Sequence, residues 1–437
     1  MHTPFILRIK IPKVGLNLSH FKNTFPNISV LASYRPLSQV MVFEEMSRES
    51  FNEAVNDPFN INHVENAALI AHETSHFIDH IATLNGQKML LEIFNAFNAI
   101  ESGEESNYWH IIQLKNTLRK TTFENYYKEY LNLHIMTDKN ASNWSFRNTF
   151  GLRFDSTGRA DPDKPIIFNA FKFKNEFIAR IPLSLESLWE ANAVSAEIQT
   201  HIASIHKIAD NDVKLVSTRI MEKKYNDWIY TPELLTYSSA THIVSSYLKY
   251  GDLYRAFVAT KAISSICLNM PEKYYHTIRI PQNLGLPSYR VNSLLHSNDP
   301  TSLFYLMVLN IKESGEDIFI DDVTIDTEKI LRINGLPDSI ALKIEIMIEF
   351  HNIREQIIDG PYSEEFQKLN NNGFLLFQSI GVDSSKASFG YTQVAKGSMN
   401  ICGLEEFLDS ENLVASRISN IDDRIHKLDM FVNACGY

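Results

Sequence analysis

The chain has 437 residues, which is long enough to bury a large core and to form two or three closely associated subdomains. Hydrophobic residues make up 44% of it and charged residues 21%, a composition typical of globular proteins rather than disordered ones. The formal net charge is −11, and Lys and Arg form no long block, so we expect no nucleic-acid partner.

The cysteine content and the N-terminal sequence indicate in which cellular compartment we expect the protein. Cys267, Cys402 and Cys435 are too few and too scattered for a disulfide framework or a cysteine-based zinc site, which favours a reducing, cytoplasmic setting. Residues 1–15 alternate apolar and basic residues and lack the continuous apolar stretch of a signal peptide, although secretion by another route stays open. No apolar run reaches the roughly 18 residues that a bilayer requires, so we expect no membrane span.

The N-terminal part of the chain is predicted to contain β-strands. Residues 4–12, 28–34 and 39–43 are short runs with the alternation or β-branched content of strands. A strand directly before a metal-binding helix can line a cleft and pair with an extended peptide backbone.

The motif HExxH follows in residues 71–78, which read AHETSHFI, with His72, Glu73 and His76 at its defined positions. Residues four apart share one face of a helix, so both imidazoles can bind the same metal ion. Glu73 then lies where it can act as a general base on a water molecule. Chance would produce this motif roughly 0.03 times in a chain of this composition.

The boundaries of the motif helix are predicted from its flanking residues. Asn62 followed by Glu65 has the pattern of a helix start, and Asn85-Gly86 has the pattern of a helix end. The residues around the histidines are uncharged, as a buried metal-binding helix requires. The alternative is a buried helix whose histidines are only hydrogen-bonded.

Most of the chain beyond this motif is predicted to be helical, at residues 87–100, 107–135, 184–209, 211–224, 231–249, 252–269 and 338–358. Residues 136–166 are rich in Asn, Asp, Ser, Gly and Pro, which predicts a long loop or a small hairpin. A polar break at residues 297–300 marks a predicted subdomain boundary.

A catalytic zinc requires a third protein ligand and an open position for water. The HExxHxxGxxH pattern of metzincins is absent, because Asp79 stands at its Gly position. His80 would require the helix to bend around the metal, so we expect it either to support a metal ligand from behind or to lie on the surface. A carboxylate from another helix is therefore expected, and Glu190 in the predicted helix 184–209 is the best candidate.

The sequence leaves the assignment of Glu190 open at this point. Glu190 could instead complete a capping box with Ser187, and Glu197, Glu101, Glu104 or another carboxylate could be the ligand. Glu190, Glu197 and His201 fall on one helix face, a polar stripe that must meet water, a partner or a metal. Glu197 or His201 would then orient a metal ligand from outside the first coordination shell.

The motif helix and a later helix that carries a Glu resemble the gluzincin-type zinc metallopeptidases. The segment IPLS-x4-WEANA at residues 181–193 also resembles the Glu-bearing segment of uncharacterised bacterial and phage-associated HExxH proteins. The resemblance implies one Zn²⁺ per chain, bound by His72, His76 and Glu190, with Glu73 as the base. Val194 stands where the Glu-x-x-x-Asp pattern of thermolysin-like enzymes has its Asp.

Peptide hydrolysis also needs a group that stabilises the developing oxyanion, commonly a Tyr, His or Arg beyond the third ligand. The candidates are Tyr230, Tyr237, His242 and the cluster at residues 274–276, and we take Tyr230 and His242 forward. The predicted partner is a protein or peptide substrate, cleaved by an endopeptidase. Two rival functions are a non-catalytic interaction protein that keeps the zinc fold, and a bacterial effector or toxin protease.

The predicted fold class is α+β and predominantly helical, with a zincin-like core, N-terminal strands and a helical C-terminal part. Four parts are expected along the chain, each with a defined content. They are a strand-containing part of the catalytic domain (1–62), a zinc-binding helical core (63–210), a helical subdomain (211–299) and a mixed C-terminal subdomain (300–437).

Overall fold

A computed structural model describes residues 32–436, apart from 131–137, 139, 156, 283, 285, 387–390 and 396–410. Helices dominate this part of the chain. The first eight are α1 (Arg48–Asn56), α2 (Val64–Ile81), α3 (Leu84–Ser102), α4 (Trp109–Thr122), α5 (Leu185–His206), α6 (Asn211–Ile229), α7 (Leu235–Leu248) and α8 (Leu253–Leu268). The others are α9 (Glu272–Tyr275), α10 (Ser288–His296), α11 (Pro300–Ser314), α12 (Thr327–Ile333), α13 (Ser339–Arg354), α14 (Ser363–Ile380), α15 (Tyr391–Ala395) and α16 (Glu411–Ala434).

The strands of the described residues form two small antiparallel sheets. Strands β1 (Ala32–Arg35) and β2 (Val40–Phe43) make a hairpin that lies beside α2. The second sheet has the order β3-β6-β5-β4, with β3 (Glu129–Tyr130), β4 (Trp144–Phe154), β5 (Ala160–Phe173) and β6 (Glu176–Pro182). The predicted α+β, predominantly helical class is confirmed at this level.

The N-terminal strand predictions have different outcomes. The strand predicted at 39–43 is confirmed as β2, and the one predicted at 28–34 overlaps β1. The strand predicted at 4–12 lies outside the described residues. The structure does not test the four predicted subdomains, which stay a prediction, although one apolar core continues from Ala71 on α2 to Val432 on α16.

Both predicted boundaries of the motif helix are wrong. Helix α2 begins at Val64 after His63, which makes no side-chain capping bond, so Asn62 is not the cap. The helix ends at Ile81, and Thr83 caps α3 by accepting a hydrogen bond from the Gly86 backbone nitrogen at 3.0 Å. Gly86 lies in the first turn of α3. Glycine is needed there because a Cβ would come within 2.3 Å of the Asp79 and His80 carbonyl oxygens. It permits a close helix crossing instead of ending a helix.

Residues 136–166 contain much of a long hairpin. Strands β4 and β5 pair from Trp144 opposite Phe173 to Phe154 opposite Ala160, so the predicted hairpin is present but longer than expected. Alternate residues of β4, among them Phe146 and Phe150, pack on His242 and Tyr305 of α7 and α11. Most of the Asn, Asp, Ser, Gly and Pro residues that predicted a loop instead lie just before β4, in the turn after it and in the first half of β5. The predicted helix at 107–135 ends at Thr122 as α4.

Helix α5 is the central element because it packs along α2. Its inward positions include Ala191, Ala193 and Ala196, which are all fully buried. Small side chains at a helix contact let the two axes approach closely. Among the described residues, no helix has the length and apolar content needed to cross a bilayer.

Helix α14 crosses the end of α2 at Gly373, where a Cβ would lie 1.7 Å from the Ile81 carbonyl oxygen. We expect Gly373→Ala to lower the free energy of unfolding by about 1–3 kcal/mol, although Ala is the better helix former. Urea denaturation measures the change. Gly251→Ala is the control, because a Cβ there meets nothing within 4 Å and its change should stay within about 0.5 kcal/mol. Equal stability of the two variants would show that the crossing is not tight.

Candidate metal centre

The structure brings His72, His76 and Glu190 together at the contact between α2 and α5. The His72 Nε2 and His76 Nε2 atoms lie 3.2 Å apart. Glu190 Oε2 lies 3.3 Å from the first nitrogen and 3.5 Å from the second. Within the part of the chain that the structure describes, this is the group of three or more such side chains whose ligand atoms meet closely enough to hold a metal ion.

The dimensions of this triangle fit a zinc site. Tetrahedral ligands at 2.0–2.1 Å from an ion are separated from one another by roughly 3.3–3.4 Å. The three observed separations of 3.2, 3.3 and 3.5 Å match this value within 0.2 Å. Two imidazole nitrogens and one carboxylate oxygen are also a ligand set that zinc accepts in catalytic sites, with one position left open. The residues present therefore fit the predicted ion.

The local sequence around Glu190 leaves its carboxylate available. Ser184 caps α5 by accepting a hydrogen bond from the Ser187 backbone nitrogen at 3.1 Å. The Ser187 hydroxyl closes the capping box on the Ser184 backbone nitrogen at 3.4 Å. The prediction that Glu190 could complete a capping box with Ser187 is therefore wrong. Glu101 and Glu104 lie elsewhere and are not ligands, since Glu101 pairs with Arg424 and Glu104 accepts a hydrogen bond from Asn107.

His72 is oriented from behind by Glu197, two turns further along α5. The His72 Nδ1 and Glu197 Oε1 atoms lie 2.5 Å apart, and the Tyr225 hydroxyl donates to Glu197 Oε2 at 3.0 Å. A proton on Nδ1, shared with this carboxylate, leaves the Nε2 lone pair facing the triangle.

Charge couples the histidines to the carboxylates. Burial alone would lower the pKa of His72, but hydrogen bonds to Glu190 and Glu197 outweigh it and raise the pKa well above its usual value. Burial opposes the attraction of Glu190 in the same way at His76, whose pKa is also raised. Burial would raise the pKa of Glu190, yet the two histidines lower it to about 2. The carboxylates stay ionised, and a metal ion must displace protons from the imidazoles.

A second layer of buried polar groups holds the two helices in register. Asn192 Nδ2 donates to Asp79 Oδ2 at 2.9 Å, which joins α5 to α2 next to the ligands. His80 Nδ1 contacts the His76 carbonyl oxygen at 2.8 Å, and burial lowers the pKa of His80 to about 3. His80 is therefore a buried neutral residue behind the ligands and not a surface residue. Lys261 on α8, which is fully buried, lies close enough to Asp79 to attract its carboxylate.

His201 lies further along the polar stripe of α5, away from the His72 ring. Its Nε2 atom is 3.9 Å from Glu65 Oε2, and its ring packs on Tyr225 at 5.9 Å between centroids. Burial lowers the pKa of His201, so the imidazole is held neutral. Of the two residues predicted to orient a ligand, Glu197 contacts one directly, whereas His201 contacts the tyrosine that supports Glu197.

Tyr237 on α7 lies close enough to the carboxylates of the cluster for their charge to act on its hydroxyl. Glu190 is the largest influence that raises the pKa of Tyr237 well above its usual value, followed by burial and by other carboxylates that include Glu73. Tyr230 and His242 instead pack towards the four-stranded sheet, with ring centroids 5.6 Å from Trp144 and 5.2 Å from Phe171 respectively. Burial raises the pKa of Tyr230 and lowers that of His242.

These residues differ in how well the sequence could indicate them. Tyr237 stood among the candidates, but no local pattern separated it from Tyr230. Tyr225 and Lys261 carried no signal, because their roles depend on how distant helices pack. Asp79 did carry one, since it is an acidic residue one turn after His76 on a helix otherwise apolar at that point.

Comparisons with protein-family models, with curated proteins and with solved structures found no match to the chain.

Zinc content provides the test of this centre. We expect wild-type protein purified without chelators to contain about one zinc per chain by mass spectrometry, and Glu190→Ala to lose it because two ligands remain. Glu186→Gln, one helical turn earlier on α5, is the matched control and should retain the ion. Glu197→Gln should retain the site but weaken zinc affinity by about 10–100-fold in a chelator competition. A zinc-free wild type, or full zinc in Glu190→Ala, would contradict the assignment.

Proposed function

We propose that this chain is a zinc-dependent metallopeptidase that hydrolyses peptide bonds in a protein target. The observation that carries the proposal is the near-equilateral triangle of His72, His76 and Glu190, with Glu73 next to its first corner on the same helix. The combination of two histidines, one carboxylate and an adjacent unliganded Glu has the composition of a hydrolytic zinc site.

A zinc ion in this triangle would polarise the scissile carbonyl and lower the pKa of a water molecule. Glu73 supplies the general base. The residue is 4% exposed, its Oε2 atom has no hydrogen-bond partner among the described residues, and burial raises its pKa. A carboxylate with a raised pKa accepts a proton from the attacking water more readily, and it can then pass that proton to the leaving amine.

Tyr237 is the best candidate for the group that stabilises the oxyanion. Its hydroxyl stays protonated, because carboxylates on the adjacent helices raise its pKa, so it is a permanent hydrogen-bond donor beside the site. The ring packs on Trp228 at 5.5 Å between centroids, which limits its motion. We therefore transfer the role predicted for Tyr230 and His242 to Tyr237.

A zincin-like organisation is part of the same proposal. It is supported by the packing of the motif helix α2 on the Glu-bearing helix α5 and by the β1–β2 hairpin beside α2. The Tyr34 ring of β1 lies 4.9 Å from the His80 ring and 6.5 Å from the His76 ring. This hairpin stands where an extended substrate could run beside the metal ligands.

A catalytic role is favoured over a non-catalytic zinc-fold protein. A structural zinc site needs no unliganded carboxylate. Burying the Glu73 carboxylate without a partner costs stability, and a catalytic role would account for that cost. The retained base therefore favours turnover. An effector or toxin protease would use the same site on a host protein, and both that function and the cytoplasmic location stay predictions from the sequence.

Removing the base tests the proposed reaction. We expect Glu73→Gln to keep its zinc and its melting temperature while hydrolysis falls by about 10²–10⁴-fold, because the proton acceptor is lost. The measurement is cleavage of a mixed peptide library and of denatured casein, followed by mass spectrometry. Zinc-loaded wild type that cleaves no faster than zinc-loaded Glu73→Gln would overturn the peptidase proposal while leaving the metal site intact.

Tyr237→Phe tests the oxyanion role separately. We expect kcat to fall by about 10²–10³-fold with little change in KM, because the hydroxyl acts mainly on the transition state. Tyr230→Phe is the matched control, since it removes the same atom from a tyrosine that packs on the sheet. If the two variants lose activity equally, Tyr237 has no special part in the reaction.

A further inference from the structure

Glu186 lies on α5 one helical turn before Glu190. At about 100° per residue the two side chains are about 40° apart around the helix, and four residues correspond to about 6 Å along its axis. Glu186 therefore extends the polar stripe of Glu190 and Glu197 towards the start of α5. The charges of Glu190 and His76 both act on the Glu186 carboxyl group, so this group lies close to the metal centre.

One oxygen of Glu186 has a partner and the other is open. Lys128 Nζ lies 3.4 Å from Glu186 Oε2, which is longer than the roughly 2.7–2.9 Å of a strong charged hydrogen bond. Glu186 Oε1 makes no hydrogen bond with any other described residue. The Glu186 side chain is 31% exposed and that of Lys128 only 10%, so the lysine approaches from within the protein while the carboxylate stays accessible.

Negative charge exceeds positive charge around the metal centre. The carboxylates that raise the pKa of the Tyr237 hydroxyl, in order of influence, are Glu190, Glu186, Glu73 and Glu197. Lys128 offsets one of these four charges, and Lys224, which acts on Glu197, is paired with Glu65. A divalent ion and Lys128 together carry three positive charges, so one negative charge is left over when the metal is bound.

The carboxyl groups themselves show this imbalance. Burial raises the pKa of Glu186, and the attraction of Lys128 does not reverse the shift because Glu190 repels the carboxylate as well. Glu73, which is 4% exposed, has an oxygen without a hydrogen-bond partner among the described residues. A further cation beside Glu186 Oε1 would stabilise the ionised carboxylate.

A peptide substrate can supply such a cation at a matching distance. Adjacent Cα atoms of a peptide are about 3.8 Å apart, so a residue next to the scissile bond starts within about 4 Å of the carbonyl at the metal. The flexible four-carbon stem of a lysine places its ammonium group roughly 6 Å beyond its Cα. This length equals the separation of about 6 Å between Glu186 and Glu190 along α5.

We propose that Glu186 determines specificity by binding the side chain of a lysine or arginine next to the scissile bond. Lys128 holds the carboxylate through Oε2, and Oε1 accepts the hydrogen bond from the substrate cation. The substrate class is therefore proteins that are cleaved beside a basic residue. This inference rests on the proposed peptidase function and adds a substrate preference to it.

Cleavage of N-acetylated, C-amidated peptide libraries by the zinc-loaded full chain tests the preference. The peptides carry Lys, norleucine or Glu at each position in turn, and norleucine has the carbon chain of Lys without its charge. We expect the wild type to cleave beside Lys with a kcat/KM about 10–100-fold higher than beside norleucine, because a hydrogen bond between charged groups is among the stronger ones.

Two variants should change this preference in opposite directions. Glu186→Gln should abolish it, whereas Lys128→Met should increase it severalfold because the competing ammonium group is gone. An ion pair with only a structural role would change kcat/KM for the Lys and norleucine peptides equally in both variants. Glu272→Gln is the matched control, since it removes another carboxylate paired with a lysine, Lys88 at 3.0 Å, and should keep the preference.

The outcomes separate this assignment from the proposed function. A wild type that cleaves the Lys, norleucine and Glu peptides equally overturns the specificity role and leaves the peptidase proposal standing. A preference for Lys that survives Glu186→Gln, or one that requires a free N-terminal amine, also rejects the role of Glu186. If the zinc-loaded wild type cleaves no peptide, the proposed function and this assignment are both overturned.

Discussion

The contact between α2 and α5 is the constraint on which the rest of the structure depends. It brings two candidate metal ligands from one helix to a third on another, and alanines at the α5 surface let the axes approach closely enough. Most other features serve this contact. Gly86 and Gly373 remove the Cβ atoms that would push neighbouring helices away from the end of α2. The hydrogen bond from Asn192 to Asp79 fixes the register of the two helices within one turn of the ligands.

Buried polar groups surround this contact in two successive layers. The innermost group is the triangle, in which His72, His76 and Glu190 face one another. Behind it, Glu197 and Tyr225 hold the His72 ring, and Asp79 is balanced by the buried Lys261. Burying so many ionisable groups is unfavourable unless each has a partner. A substitution that removes one partner should therefore destabilise the region. A site assembled in this way has little freedom to rearrange, which suits the hydrolytic role proposed for it.

The sequence predicted the helical class and the candidate ligands, but not the geometry that joins them. The motif helix and the helix of Glu190 were found because their residue types and spacings carry local chemistry. The hairpin of β4 and β5 was underestimated because the polar residues before β4, in the turn and early in β5 resemble a loop. The C-terminal end of α2 was misplaced because Gly86 serves a helix crossing, which only the packed structure reveals. Tyr225, Tyr237 and Lys261 lie far from the motif in the sequence, so no spacing rule could select them.

The distance along the chain between His76 and Glu190 is 190 − 76 = 114 residues, and this separation has a consequence for folding. Helices α3 and α4 and the four strands of the second sheet lie between these two residues in the sequence. All of them must be accommodated before His76 and Glu190 can come together. Closing a loop of this length costs conformational entropy, and such long-range contacts form late. A cation bound by residues of both α2 and α5 would therefore stabilise a fold that has already formed. The metal site cannot be completed before residue 190 has been synthesised.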